Sequence, residues 1–261
     1  MRLATWNVNS VRTRIPRIID TLDRHSIDVL AMQETKCTDD QFPRDVFADA
    51  GYDVAVCGTN HWNGVAIASR VGLTSIHTLP HQPGFNKDLT AEHTIEPRSI
   101  AATCGGITIM SLYVPNGRAI SDIHFTYKLR FLDAVRTYAS HAIDNDPELL
   151  LALVGDWNIA PHDSDVWDPT HFIGRTHVTP RERNALTALE DEGFTDVTHS
   201  SGYTYWDYTQ GRFGRNHGMR IDMQWASPAL TETAGAVTVD KDERAHKGSS
   251  DHAPLIVDYD I

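Results

Sequence analysis

The residues that could do chemistry sit where strand-like segments end. Asn7 follows the alternating Leu3–Trp6. Glu34 follows the apolar Asp28–Met32, and Asp156 and Asn158 follow Leu149–Val154, the most apolar stretch in the chain. Asp222 stands beside Ile221 at the start of another such segment, and Asp251 and His252 directly precede the last one, Leu255–Tyr259. A lone Asp or Asn after a strand is ordinarily a turn residue or a helix cap. In Gly155-Asp156-Trp157-Asn158, however, two oxygen-bearing side chains two residues apart point the same way if the backbone stays extended. Ser250-Asp251-His252 sets an acid beside an imidazole, a pairing that can serve a metal and a proton transfer together. If the strands share one edge, their ends converge on a pocket rich in carboxylates and amides. Hard oxygen donors of this kind suit Mg²⁺ or Mn²⁺ rather than zinc.

The elements that must position these groups are mostly strands. Tyr52–Val56, Gly64–Ser69, Ile100–Thr103, Ile107–Tyr113 and Ile221–Ala226 read as further strands, with Gly105-Gly106 as a hairpin turn. Ser10 is the expected N-cap of a helix carrying Val11, Ile15, Ile18, Ile19 and Leu22 at helical spacing. Helical periodicity returns over Phe125–Ala142 and Glu182–Glu192, the latter stopped by Gly193. Strands outnumber helices, so the pattern predicts packed sheets covered by helices. Neither repeat nor linker breaks the 261 residues, and one domain, 1–261, is expected. The longest apolar run has six residues, against about 20 for a membrane span, so no membrane partner is expected. The first residues turn polar too soon for a signal-peptide core. Three widely spaced cysteines suit a reducing compartment, so a cytoplasmic, non-secreted protein is expected. The formal charge of −12, taken alone, argues against nucleic acid as a partner.

Six motifs in order change that expectation: Trp6-Asn7-Val8-Asn9-Ser10-Val11-Arg12, Leu30-Ala31-Met32-Gln33-Glu34-Thr35-Lys36, Leu112-Tyr113-Val114-Pro115-Asn116-Gly117, Gly155-Asp156-Trp157-Asn158-Ile159-Ala160-Pro161, Arg220-Ile221-Asp222 and Ser250-Asp251-His252-Ala253-Pro254. Together they resemble the exonuclease III family of abasic-site endonucleases, within the endonuclease/exonuclease/phosphatase superfamily, and the resemblance runs from Met1 to the final strand. It implies an α/β fold of DNase I type, a four-layer α-β-β-α sandwich of two packed mixed sheets. It implies metal-dependent hydrolysis of DNA 5′ to abasic sites, with 3′-end phosphodiesterase and phosphatase action and 3′→5′ exonuclease action on duplex DNA. The implied metal is Mg²⁺, with Mn²⁺ as a substitute, held mainly by Glu34 and assisted by Asn7 and Asp251, with Asp156 and Asn158 close by. Asp156 is implied to orient or deprotonate the attacking water, Asn158 to hold water or phosphate, Tyr113 to contact the scissile phosphate, and His252 to bind a phosphate oxygen with Asp222 behind it. The implied partner is double-stranded DNA with abasic sites or blocked 3′ ends. A monomer associated with a bacterial nucleoid is expected.

DNA contacts are expected from Arg12, Arg118, Arg215, Asn216 and Arg220, in loops or before helix starts. The resemblance implies a pocket for a flipped abasic sugar lined by Tyr205, Trp206, Met219 and Ile221, selecting by size. The first 19 residues hold four arginines and no acid, and Gly211–Ile221 holds three arginines and no acid. The negative excess therefore lies elsewhere, and a local basic face is expected to bind DNA in a salt-sensitive way. The alternative is a superfamily phosphatase or phosphodiesterase acting on a phosphorylated lipid or inositol, which would share Asp156, Asn158, Asp251 and His252 but lack the Tyr113 motif and the aromatic segment Tyr203–Trp206.

Overall fold

The computed structural model describes residues 1–88 and 90–261. Among these described residues, twelve strands form two six-stranded sheets. In chain order they are β1 (Arg2–Asn7), β2 (Val29–Gln33), β3 (Asp53–Cys57), β4 (Val65–Ser69), β5 (Thr74–His77), β6 (Ser99–Cys104), β7 (Ile107–Tyr113), β8 (Leu151–Asp156), β9 (Thr195–Asp196), β10 (Asp222–Ala226), β11 (Ala234–Val239) and β12 (Leu255–Tyr259). One sheet has the order β11-β12-β1-β2-β4-β3, the other β5-β6-β7-β8-β10-β9. The main helices are α1 (Val11–Arg24), α2 (Arg44–Asp49), α3 (Ile123–Asn145) and α4 (Pro180–Asp191). Among the described residues no helix is long and apolar enough to cross a membrane.

Three apolar layers follow from strands buried on both faces. Ala152 and Val154 of β8 join Leu3, Ala31 and Ile67 between the sheets. Leu151 and Leu153 point the other way, onto Phe131, Leu132 and Val135 of α3 and Leu186 and Leu189 of α4. On the opposite outer face, Ala4, Leu30 and Ala66 meet Val11, Ile18 and Leu22 of α1 and Phe47 of α2. The period-2 alternation of an unbroken apolar strand thus feeds a core on each side. The result is the expected α-β-β-α sandwich.

Each sheet is built around a parallel pair, β1/β2 and β7/β8. Parallel strands end at the same edge, so Asn7 lies opposite Gln33, the residue before Glu34, and Tyr113 lies opposite Asp156. Antiparallel β10 starts at that edge, with Asp222 opposite Asp156. Gly155 makes the approach possible: its φ is +148°, and a Cβ there would lie 1.9 Å from the Leu112 carbonyl oxygen.

One local expectation is corrected, and two edge strands are added to those expected. Ser10 precedes α1 but accepts no capping bond. Instead its N–H donates to the Glu34 carbonyl (2.7 Å) and that of Val11 to the Thr35 carbonyl (3.1 Å), which ties the helix start to the Glu34 loop. The edge strands β5 and β11 had no apolar signature in the sequence because most of their residues are at least partly exposed.

Candidate active site

The strand ends open into a cavity of about 290 Å³ lined by Glu34, Tyr113, Asp156, Asn158, Asp251 and His252, among others. Asn7 lies beneath it, fully buried. Its Nδ2 donates to Glu34 Oε1 (2.8 Å) and to Asp156 Oδ2 (2.9 Å), so one amide ties an acid from each sheet. Asn9 Nδ2 donates to Asp251 Oδ1 (3.0 Å), and Lys36 Nζ bridges Asn9 Oδ1 and Glu34 Oε2 (2.6 and 2.7 Å). Asn9, Glu34, Lys36 and Asn158 all take positive φ, between 45° and 53°. Left-handed backbone at non-glycine residues costs energy and is found where a site must aim its side chains.

His252 Nδ1 donates to Asp222 Oδ2 at 2.8 Å, and its Nε2 lies 3.8 Å from Asp156 Oδ2. Burial opposes the charged ring, but the Asp222 and Asp156 carboxylates outweigh it and raise the His252 pKa to about 10. Asp156 is pushed up to about 7 by burial, which the attraction of His252 offsets only in part, and by the Asp222 charge. Burial works against ionised Glu34, yet the Lys36 ammonium and the Asn7 hydrogen bond hold its pKa below the usual range. Tyr113 is raised by burial and by the Glu34 charge, so its hydroxyl stays protonated. The Arg98 guanidinium covers the Tyr113 ring, 4.7 Å from its centroid.

Asn158 rests on a buried frame that the sequence reading did not single out. Its backbone N–H donates to Asp156 Oδ1 (3.0 Å), its Nδ2 to the Val114 carbonyl (3.0 Å), and its Oδ1 lies 3.1 Å from Asn116 Nδ2. Below it, fully buried Lys128 of α3 donates to the Asn158 carbonyl (2.7 Å) and pairs with fully buried Glu182 of α4. Glu182 also accepts from Thr176 Oγ1 and from the backbone of His177 and Thr179. The His177 ring, 3.2 Å from Asn158 Oδ1, is held neutral: burial and the Lys128 charge lower its pKa to about 3. The signals were present but weak. Lys128 falls on the apolar stripe Phe125-Leu129-Leu132, and Thr179-Pro-Arg-Glu182 has capping-box spacing.

Residues 4–252 match the model of the endonuclease/exonuclease/phosphatase family. The chain belongs to that family. Exodeoxyribonuclease III of Haemophilus influenzae is 28% identical over 99% of this chain and all of that protein. Among solved structures, a Neisseria 3′ phosphatase bound to a product DNA hairpin superposes with a TM-score of 0.92 at 34% identity, both chains fully covered. An AP endonuclease from Archaeoglobus fulgidus superposes with a TM-score of 0.89 at 31% identity, again with full coverage of both.

Within this member of the endonuclease/exonuclease/phosphatase family, period-2 alternation sorts the remaining candidates. Tyr205, Met219 and Ile221 line the cavity, so the neighbouring Trp206 and Arg220 point away from it. Both are corrections. Trp206 is buried beneath Gly218 and donates to Asn216 Oδ1 (3.2 Å). Arg220 is 1% exposed and is held by Asp165 (2.8 Å) and Asp196 (2.6 Å), buried away from any phosphate. Arg12, Arg118, Arg215 and Asn216 are exposed, although Asn216 Oδ1 also accepts from Lys241. The apolar wall is longer than expected, because Trp167 and Phe172 join it.

Proposed function

We propose that the protein is a metal-dependent DNA-repair phosphodiesterase, one domain over residues 1–261, that hydrolyses duplex DNA 5′ to abasic sites and trims 3′ ends. The 3′-end action covers phosphate and other blocking groups and 3′→5′ removal of nucleotides. The carrying observation is one cavity holding Glu34, Tyr113, Asp156, Asn158, Asp251 and His252 beside the apolar surface of Tyr205, Met219 and Ile221. Such a surface suits a sugar without its base, flipped from the stack.

The donor set fits a hard divalent cation. Oxygens of Glu34, Asp251 and Asn7, joined by Asp156 and Asn158, would hold Mg²⁺, or Mn²⁺ in its place. Asp156, Asp222 and His252 also bring ligand atoms within 4.8 Å of one another. Protonated His252, however, has no lone pair for a metal, so that trio reads as proton-transfer machinery. When bound, the cation supplies Lewis acidity that neutralises phosphate charge and stabilises the leaving alkoxide.

The chain's own groups supply the rest. Asp156, poised near neutrality, accepts a proton from the attacking water. His252 keeps Nδ1–H on Asp222 and presents Nε2–H to a phosphate oxygen. Asn158 uses one amide hydrogen on Val114 and offers the other, and the Tyr113 hydroxyl adds a neutral donor. These preorganised donors stabilise charge that grows on the phosphate. Arg12, Arg118 and Arg215 contact flanking phosphates. The protein is expected to act as a cytoplasmic monomer.

A time course on duplexes carrying an abasic site, a 3′-phosphate or a plain recessed end, each with Mg²⁺ and with EDTA, tests this reading. Cleavage of the abasic duplex that EDTA abolishes is expected. Turnover of a soluble inositol phosphate with no action on any duplex would overturn it.

A further inference from the structure

Behind the cavity lies an arginine that belongs to none of the six motifs. Arg244, on the short helix Lys241–Ala245, is 8% exposed. The acid beside it, Glu243, is taken by Arg17 and Arg24. Among the described residues Arg244 forms no ion pair. A buried cation without a carboxylate is costly unless other groups compensate it. Here two carbonyls and two rings do so. Nη2 donates to the Trp206 carbonyl (2.8 Å) and Nε to the Asp251 carbonyl (3.3 Å). The guanidinium lies over the Tyr208 ring, 5.1 Å from its centroid, and over the Phe213 ring, 5.0 Å from its centroid.

These partners meet at a seam of the site. The Trp206 N–H donates to the same Asp251 carbonyl (2.9 Å), and Tyr205 bridges to His252. Residues 205–206 therefore run beside 251–252, and the strand of the pocket wall holds the segment that carries Asp251. Arg244 closes a ring around that contact, because its planar fork engages a carbonyl on each side. Tyr208 and Phe213 lie on either side of Arg212, in the segment that leads to Arg215 and Asn216. Asp251 lines the cavity, and its Oδ1 accepts from Asn9 Nδ2 (3.0 Å).

We propose that Arg244 is a positioning residue for metal binding. It fixes the Asp251 backbone against the pocket wall and so aims the Asp251 carboxylate into the cavity. This rests on the reading of Asp251 as a metal ligand. Because Arg244 acts through Asp251, its loss costs metal affinity rather than chemistry.

The test compares R244Q and R244K with the parent in two measurements. One is Mn²⁺ binding by the DNA-free protein, read from the loss of the free-ion electron paramagnetic resonance signal. The other is the Mg²⁺ dependence of cleavage of a duplex with an abasic site. Removing a group that orients a metal ligand costs about tenfold or more in metal affinity. R244Q should therefore bind Mn²⁺ about tenfold more weakly and need about tenfold more Mg²⁺ for half-maximal cleavage. Its kcat at saturating Mg²⁺ should stay within about threefold of the parent's. R244K keeps the stem and the charge but puts one nitrogen where the fork puts two, so its metal midpoints should fall between the other two. A residue that only supports the fold would lower Tm and leave both metal midpoints in place, and that result would overturn the proposal. Loss of folding in both variants would overturn it as well. Cleavage by a parent that binds no Mn²⁺ without DNA would overturn the proposal alone. A parent that cleaves no duplex would overturn the nuclease reading, and the Mn²⁺ midpoints would still decide the role of Arg244.

Discussion

His252 and Asp156 divide the titration of the site between them, and each makes its own prediction. His252 is raised above its ordinary value, so the imidazolium–Asp222 pair stabilises the fold fully below about pH 6.5, and that contribution is lost as pH rises through about 10. Asp222→Asn removes the carboxylate that sustains the charge. The alkaline limb of the kcat profile should then move to lower pH, and an unmoved limb would mean that Asp222 does not set the ring's protonation. Asp156 is the opposite case, because burial and neighbouring acids make its ionised form costly above about pH 7. Asp156→Asn should lower kcat on an abasic duplex by about 10²–10⁴, the scale of a lost acid–base group. In EDTA at pH 8 the same variant should melt a few degrees higher, because a strained charge is gone. A lower Tm would show that the ionised carboxylate stabilises the fold. At this scale the polar side chains were readable because their motifs are local and contiguous. Trp206 and Arg220 were misread because one residue of alternation decides which face a side chain takes, and linear sequence does not show which face is the cavity.

The helices matter through what they hold in place. Lys128 of α3 and Glu182 of α4 form a fully buried pair beneath Asn158. Burial lowers the Lys128 pKa, while the Lys128 charge overcomes burial at Glu182 and depresses it to about 2. Stability from ionised Glu182 is therefore present above about pH 4.5 and lost as pH falls towards 2. Lys128→Met strands the Glu182 charge in the core, and breaking such a pair costs about 3–5 kcal/mol. Urea unfolding at pH 7 should show that loss, with residual kcat reduced because the Asn158 carbonyl loses its anchor. A variant as stable as the parent would show that Glu182 protonates without penalty. Phe125, Leu129 and Leu132 made α3 legible, and their very regularity hid Lys128 among them. The partner sits over 50 residues away on α4, and pairing across that separation leaves no local pattern.

Over the whole molecule, the net charge is a poor guide until each arginine's partner is known. The amino-terminal surplus is largely internal: Arg2 pairs with Asp258, Arg17 with Glu243, and Arg14 bonds the backbone of Asn9 and Ser249. Arg220 is spent on Asp165 and Asp196. Among the described residues, the arginines left without an ion pair include Arg12, Arg118 and Arg215 outside the cavity and Arg175 and Arg212 within it, on a chain of formal charge −12. Binding through so few cations releases few counterions. With catalysis blocked by EDTA, the slope of log K against log salt on an abasic duplex should fall at about −3 to −4, as for roughly four neutralised phosphates. A slope near zero would mean that apolar contact with the flipped sugar alone holds the substrate. A slope as steep as about −8 would require a basic surface far larger than these free arginines can form. Site recognition then depends on the cavity, because the acidic remainder of the surface repels undamaged duplex wherever the few arginines are not engaged.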